Sequence, residues 1–186
     1  MKTFNQFINE SHKSSDIVTI EELANEFSIY DKETMIDWWK ENRDRIEIHY
    51  FPFKTNEPIL GACLSSNSVA LNEKARAPED IKIFIMTHES YHCDQMLEGK
   101  FEEEYFKTVM DGDKETFLKN YKRLENDANN KAITAMTKMG FRNFSRMENM
   151  LRGNEDQGGF VWNMMRSDIE KYKPTSFVDL IKAQIL

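Results

Sequence analysis

The sequence predicts an α+β fold that is mostly helical and contains a small, mainly antiparallel sheet of three strands. Glycine and proline number only 7 and 4 among 186 residues, and residues that begin or end helices recur along most of the chain. Short alternating segments are confined to residues 45–72. Hydrophobic residues at 40% support a packed core. We expect a single domain over residues 18–186, preceded by a polar linker at 11–17.

The elements of the N-terminal half are predicted from capping residues and alternation. Thr19 and Glu22 form a capping box that opens a helix to about residue 28. Asp31 caps a second helix that runs to about Arg43. Three strands follow at residues 45–52, 58–64 and 68–72, and the last two are joined by the turn sequence Ser65-Ser66-Asn67.

The C-terminal half is predicted to be helical, with turns between the helices. The predicted helices are 78–98, 101–109, 113–139, 145–151, 156–171 and 175–185. Gly99 and Gly140 are expected to end the first and the third, because glycine readily adopts the left-handed conformation found after helix ends. Ser145 and Glu148 form a second capping box.

Residues 88–92, with the sequence His-Glu-Ser-Tyr-His, form an HExxH motif within a predicted helix. Side chains four residues apart project from the same helix face, so His88 and His92 can bind one metal ion. Glu89 lies beside that face, where it can act as a base towards water. Neutral nitrogen ligands with an adjacent carboxylate are what a zinc hydrolase requires. The alternative is a surface helix with two histidines and a solvated glutamate.

A third protein ligand is expected, because catalytic zinc usually has three. The longer motif HExxHxxGxxH is absent, since Gln95 and Glu98 occupy its glycine and last histidine positions. Without the glycine the helix should continue and Glu98 would point away from the metal. Of the two other histidines, His12 lies in a polar N-terminal stretch and is a poor candidate.

Residues 125–129, Glu-Asn-Asp-Ala-Asn, lie in the long predicted helix. Together with the HExxH motif they resemble the gluzincins, zinc peptidases whose third ligand is a glutamate on a second helix, in some members within Glu-Asn-x-Ala-Asp. The resemblance implies Zn²⁺ as cofactor, Glu125 as third ligand and Asn129 as the residue that orients a ligand histidine, although asparagine polarises the ring less than aspartate. Asp127 is a supporting residue or an alternative ligand. Otherwise Glu125 is a surface glutamate paired with a nearby lysine or arginine.

The order of the motifs also resembles the ImmA/IrrE-type metallopeptidases, over roughly residues 45–135. In that family a short strand ending in asparagine, here residues 69–72, precedes the HExxH helix. Ser90 and Tyr91 depart from the small residues that the family often has within the motif. The resemblance implies a zincin-like fold, in which an edge strand binds extended substrate by main-chain pairing. Residues 59–64 are the candidate edge, and an ordinary core hairpin is the alternative.

A zinc peptidase of this kind would use Glu89 to take a proton from water and pass it to the leaving amine. A further donor normally stabilises the oxyanion. No histidine follows His92, so a tyrosine or His49 would have to serve. The sequence does not choose among the candidates, which are Tyr91, Tyr105, Tyr121 and His49.

The first ten residues, Met-Lys-Thr-Phe-Asn-Gln-Phe-Ile-Asn-Glu, resemble the capsid-targeting peptide of internal head proteins in T-even-type phages. In those proteins the phage prohead protease cuts after a glutamate that follows an aliphatic and one variable residue, and Ile8-Asn9-Glu10 matches. The resemblance implies cleavage between Glu10 and Ser11, packaging inside the capsid and ejection into the host cytoplasm, where a host protein would be the substrate. The alternative is a short amphipathic helix.

Charge and composition limit the other classes of partner. A net charge of −7 argues against non-specific nucleic-acid binding, which needs a basic surface. No apolar run approaches the length of a membrane span. Cys63 and Cys93 do not make a disulfide framework, and Cys93 is expected to be a small buried hydrophobe rather than a redox residue. The alternatives to an enzyme are a non-catalytic phage internal protein and a zinc-stabilised inhibitor of a host defence factor.

Overall fold

The computed structural model of the chain describes residues 16–27, 31–51, 60–72, 77–152 and 157–180. The predicted α+β class is confirmed, because these residues are mostly helical around one small sheet. The elements are β1 (Asp16–Val18), α1 (Ile20–Glu26), α2 (Lys32–Arg43), β2 (Glu47–Phe51), β3 (Gly61–Ser65), β4 (Ser68–Asn72), α3 (Glu79–Leu97), a π-helix (Phe101–Phe106), α4 (Lys107–Met110), α5 (Lys114–Lys138), α6 (Ser145–Arg152) and α7 (Gln157–Tyr172). Residues 177–180 are also helical.

The sheet differs from the predicted three-stranded, mainly antiparallel arrangement, because it has four strands and is mixed. The strand order is β1-β2-β4-β3, with β1–β2 and β3–β4 antiparallel and β2–β4 parallel. β1 has only three residues, too few to show alternation, and it begins inside the predicted linker 11–17. The predicted edge, residues 59–64, corresponds to β3, which lies at one end of the described sheet.

Helix ends follow the predicted capping residues at most positions. The Thr19 hydroxyl accepts the Glu22 N–H at 3.2 Å, and the Glu22 carboxylate accepts the Thr19 N–H at 2.8 Å. Asp31 and Asp113 cap α2 and α5. Left-handed glycines follow α3 and α5 as expected: Gly99 with φ 76° and Gly140 with φ 92°.

The predicted cap at Ser145 is wrong, whereas the predicted helix at 101–109 is present. Ser145 does not cap α6, since it is the first helical residue, and its N–H and hydroxyl donate to Asn143 Oδ1 at 3.1 and 2.9 Å. The predicted helix at 101–109 is present as the π-helix followed by α4. Three aromatic residues of the π-helix are buried: Phe101, Tyr105 and Phe106.

The buried apolar residues form two cores that meet along α3 and α5. The first core joins α1, α2, the sheet and most of α3, and includes Met35, Ile48, Val69, Phe84 and Met136. The second core joins the π-helix, α4, the first half of α5 and α7, and includes Phe101, Tyr105, Phe117, Leu124 and Trp162. α5 therefore contributes its N-terminal half to one core and its C-terminal half to the other. None of the helices described is long and apolar enough to cross a membrane.

Candidate metal centre

α3 is held between the sheet and α5, which fixes the face on which the HExxH motif lies. Ile83, Phe84 and Met86 are fully buried in the first core. The buried hydroxyls of Thr87 and Ser90 donate to carbonyl groups one turn earlier on the same helix, at 2.8 and 2.6 Å. These small side chains need no partner outside the helix, so α3 can pack closely on its neighbours.

His88, His92 and Glu125 converge where α3 crosses α5, as predicted. The two histidine Nε2 atoms lie 2.9 Å apart. The Glu125 carboxylate places one oxygen 3.4 Å from His88 Nε2 and the other 3.3 Å from His92 Nε2. Within the described residues this is the one group of at least three histidine, cysteine or acidic side chains whose ligand atoms lie close enough to hold a metal ion, here within 4.8 Å.

The geometry of the triad fits a single small divalent cation. Zinc binds nitrogen and oxygen at about 2.0–2.2 Å, so ligand atoms at tetrahedral angles lie about 3.4 Å apart. The three separations, from 2.9 to 3.4 Å, are close to that value. Glu125 therefore lies where it could act as a third ligand, whereas Glu98 is exposed and pairs with Lys100 at 2.5 Å.

Without a metal, the triad is an internal ion pair. Burial disfavours a charged His92, but contact with the Glu125 carboxylate and the charge of Glu89 outweigh it and raise the pKa of His92 to about 9. Burial opposes the charge of Glu125 too, but hydrogen bonds from the two imidazoles hold the pKa of Glu125 far below its usual range. Even without a metal, the site therefore favours a positive charge next to the Glu125 carboxylate.

Gln95 is a residue at this site whose role the sequence analysis did not identify. Its Oε1 lies 2.8 Å from His92 Nδ1, so it can accept that N–H and leave Nε2 facing Glu125. Its Nε2 donates to the Leu124 carbonyl and to the Asp127 carboxylate, both at 3.0 Å. The position of Gln95 could have indicated this role, because residue 95 lies one turn after His92 on the same helix face.

Asp127 supports this arrangement and lies outside the group of three converging ligand atoms. Its carboxylate accepts from Gln95 and, at 2.8 Å, from Lys131 one turn further along α5. Burial raises the pKa of Asp127, but these two donors outweigh it and lower the pKa below its usual value. Asp127 therefore fits the predicted supporting role, acting on His92 through Gln95.

Asn129 lies one turn after Glu125, but it does not make the predicted bond to a ligand histidine. Asn129 Oδ1 and His88 Nδ1 are both buried and have no hydrogen-bond partner. An amide oxygen accepts hydrogen bonds, and the Nδ1 of a histidine that binds metal through Nε2 carries a proton. The two atoms are chemically complementary, so the orienting role of Asn129 stays a prediction.

Glu89 lies between the triad and the edge strand. Its Oε2 accepts the backbone N–H of Cys63 in β3 at 2.8 Å. A Cβ added to Gly61 would lie only 2.6 Å from Ile85 Cγ2 and 3.7 Å from Glu89 Cγ, which shows how closely β3 approaches this face of α3. The expected base and the expected substrate-binding edge are therefore in direct contact.

His49 and Tyr91 make their described contacts away from the triad, so a catalytic role for either stays a prediction. On β2, Ile48 packs in the first core with α3, so His49, the next residue, projects from the opposite face of the sheet. Tyr91 is on α3, but its ring packs against two cations beside that helix. The guanidinium of Arg43 lies 4.0 Å and the Lys131 ammonium 5.9 Å from the ring centroid.

Tyr105 and Tyr121 remain as candidate oxyanion donors on the second-core side of the triad. The Phe101 ring lies 5.7 Å from the His92 ring, and Tyr105 stacks on Phe101 at 4.9 Å. The Tyr105 hydroxyl is buried without a hydrogen-bond partner. Burial and the nearby charge of Glu125 raise the pKa of both tyrosines, so each keeps its proton at neutral pH.

Comparison with protein-family models, curated proteins and solved structures gave no match to the chain. The predicted processing site, Glu10 and Ser11, and His12 lie outside the described residues.

Proposed function

We propose that the chain is a zinc-dependent peptidase in which His88, His92 and Glu125 bind the metal. The observation that supports this is the convergence of three ligand atoms within 4.8 Å from two separate helices. Two imidazoles and one carboxylate suit zinc, and they also suit ferrous iron in oxygenases. Glu89 favours the hydrolase, because a second carboxylate that is not a metal ligand is what general-base hydrolysis adds.

The residues around the triad supply the other parts of a peptidase site. A bound zinc ion would lower the pKa of a water molecule to about 7 and polarise a peptide carbonyl. Glu89 would take the proton from that water and deliver it to the leaving amine. The outer edge of β3 in the described sheet would bind an extended peptide by main-chain hydrogen bonds. Tyr105 or Tyr121 would donate to the oxyanion.

The first experiment is the metal content of the purified chain by elemental mass spectrometry, for wild type, Glu125→Ala and Glu115→Ala. Glu115 is an exposed glutamate on the same helix and serves as the matched control. We expect one zinc per chain in wild type and control, and loss or severe weakening of zinc binding in Glu125→Ala. Wild-type protein that takes up no zinc after reconstitution would exclude the metal centre.

Catalysis is tested separately with Glu89→Gln, using digestion of a complex peptide mixture followed by mass spectrometry. Glutamine keeps the shape of the side chain but cannot take a proton at neutral pH. We expect zinc content to be unchanged and turnover to fall by about 10²–10⁴-fold. Full activity in this variant would contradict the mechanism.

The biological setting is proposed from the first ten residues only. A chain packaged in a phage capsid and ejected into the host would cleave a host protein, after the prohead protease has removed residues 1–10. The protein recovered from phage particles should then begin at Ser11, which N-terminal sequencing of virion protein tests. A mature chain that retains Met1 would contradict the targeting assignment.

A zinc-stabilised binding protein is the second candidate, and the position of the triad favours it. A metal held by α3 and α5 would join the two apolar cores, which is the arrangement of a structural site. Such a protein would need metal for stability but would show no turnover, and Glu89→Gln would leave its biological effect intact.

A further inference from the structure

Cys63 of β3 and Cys93 of α3 face each other across the contact between the edge strand and the motif helix. Their sulfur atoms lie 3.5 Å apart, and both residues are free cysteines. They are the two cysteines of the chain. Cys93 has no exposed surface, whereas Cys63 is partly exposed. Cys63 is therefore the residue of the pair nearer to solvent, and Cys93 lies behind it. The hydrogen bond with Cys93 and burial raise the pKa of the Cys63 thiol, so its oxidation should be faster at alkaline pH.

We propose that Cys63 and Cys93 are a modification site, at which an intrachain disulfide joins β3 to α3 under oxidising conditions. A disulfide has sulfur atoms about 2 Å apart, so the two atoms must approach by about 1.5 Å. Rotation of a cysteine side chain moves its sulfur by more than this. The other polar contacts of the thiols are single backbone carbonyls, Ser65 for Cys63 at 3.2 Å and Ser68 for Cys93 at 3.5 Å, and these are weak restraints.

The oxidant we assign is a small disulfide, with oxidised glutathione as the probe. The Cys63 thiolate attacks one glutathione sulfur, forms a mixed disulfide and releases the first glutathione thiolate. The Cys93 thiolate then attacks the Cys63 sulfur, forms the intrachain bond and releases the second glutathione. The two protons lost by the cysteines are taken up by the two glutathiones. The chain loses two electrons, and the glutathione disulfide is reduced by two.

The position of the pair gives the disulfide a consequence for the metal centre, and this consequence rests on the proposed peptidase function. Cys63 is the residue whose N–H holds the Glu89 carboxylate at 2.8 Å. Cys93 directly follows His92 and lies one turn after Glu89 on α3. Closing the disulfide would turn both cysteine side chains and change the contact of β3 with α3 beside Glu89, leaving the three metal ligands in place. We expect zinc binding to persist and turnover to fall about 100-fold, as a displacement near 1 Å at a reacting group can cost.

The bond itself is tested by thiol counting on the full chain. The reduced protein is incubated with oxidised glutathione at pH 8, denatured, alkylated with N-ethylmaleimide and weighed by intact mass spectrometry. We expect the wild-type chain to lose two hydrogens, to take up no maleimide and no glutathione, and to stay monomeric on a non-reducing gel. Dithiothreitol should restore two labelled thiols. A wild-type chain that keeps both thiols, carries stable glutathione or forms crosslinked dimers would overturn the proposal.

Single variants separate the two steps. In Cys93→Ser, we expect glutathione to accumulate on Cys63, because nothing displaces it. In Cys63→Ser, we expect Cys93 to stay unmodified until the chain is denatured, because it is fully buried. Cys93→Ala serves if the serine variant does not fold. Glutathione on Cys93 in folded Cys63→Ser would contradict the order of attack and overturn the proposal as stated.

Zinc content and turnover, measured before and after oxidation, distinguish this inference from the proposed function. A disulfide that forms in a chain without zinc or turnover supports the modification site and contradicts the peptidase. A zinc-binding, active chain that forms no disulfide supports the peptidase and overturns this inference. Turnover that is lost on oxidation and regained with dithiothreitol in wild type, but is unchanged by oxidation in Cys63→Ser, supports both.

Discussion

Gln95 determines which nitrogen of His92 faces the metal position. Because its amide also bonds to Leu124 and Asp127 on α5, one side chain orients a ligand and ties the two ligand-bearing helices together. Residues that orient ligand histidines in this way commonly change metal affinity 10–100-fold when they are lost. Gln95 is therefore a positioning residue for the proposed zinc site.

We predict that Gln95→Leu weakens zinc binding by about 10–100-fold while the chain stays folded, because leucine fills a similar volume without the hydrogen bonds. Competition with a chromophoric chelator gives the affinity, and circular dichroism checks the fold. Gln157→Leu, at an exposed position on α7, is the control and should bind zinc like wild type. Equal affinity in Gln95→Leu and wild type would show that the contact does not orient the ligand.

The raised pKa of His92 predicts the pH dependence of zinc binding. The folded chain keeps a proton on His92 up to a pKa of about 9, and zinc must displace it. Apparent affinity should therefore rise about tenfold per pH unit from pH 7 to pH 9 and then level off. Chelator competition at several pH values measures this slope. An affinity that is constant over this range would mean that His92 is already neutral at pH 7.

Single residues also show what the sequence could and could not predict about the site. His88 and His92 follow from the four-residue helix spacing, and Glu125 follows from a motif on a second helix. For His49 the residue type alone was not enough, because one-residue alternation along β2 decides the face of the sheet on which it lies. Hydrogen bonds between helices, such as that from Gln95 to Asp127, depend on the packed structure and have no local sequence pattern.

At the scale of elements, the contact between β3 and α3 depends on the absence of a side chain at Gly61. An added Cβ would lie 2.6 Å from Ile85 Cγ2 and 2.8 Å from the Ala70 carbonyl oxygen. The second of these is a backbone atom of the neighbouring strand, so the strand would have to shift. Gly61 therefore sets the distance across which Cys63 reaches Glu89.

We predict that Gly61→Ala lowers the free energy of unfolding by about 1–3 kcal/mol, because the methyl group overpacks this contact. Gly159→Ala is the matched control, since a Cβ there meets nothing within 4 Å and the residue is helical. It should leave stability unchanged or raise it by about 0.5–1 kcal/mol. Urea denaturation of both variants measures the difference. Equal free energies of unfolding in the two variants would mean that β3 can shift to accept the methyl group without loss of stability.

At the scale of the whole molecule, helix positions were more predictable than sheet topology. Caps and left-handed glycines act within a few residues, so the ends of α1, α3 and α5 could be placed from the sequence. The parallel pairing of β2 with β4 requires β3, which comes between them in the sequence, to lie at the edge of the sheet, so that β4 can lie between β2 and β3. No local sequence pattern encodes this order. The aromatic residues of the π-helix are buried against α5 and α7, which are distant in the sequence, so no local pattern predicts that it is a π-helix rather than an α-helix.

We predict that zinc raises the thermal stability of the wild-type chain. A metal that binds the folded state alone stabilises it by about 2.7 kcal/mol at a free concentration 100 times its dissociation constant. For a chain of this length the melting temperature should rise by about 5–11 °C. Glu125→Ala should show no rise at the same zinc concentration. An unchanged melting temperature in zinc-loaded wild type would mean that the unfolded chain binds the metal equally well.

The division of α5 between two apolar cores has a consequence for how the molecule opens. His88 is 6.0 Å from Phe84 of the first core, and His92 is 5.7 Å from Phe101 of the second, measured between ring centroids. Each core is held by its own contacts, so the elements around one core can open and exchange their amide hydrogens independently of those around the other. A metal bridging α3 and α5 would merge these units, so amides of α7 would exchange only when the sheet also opens.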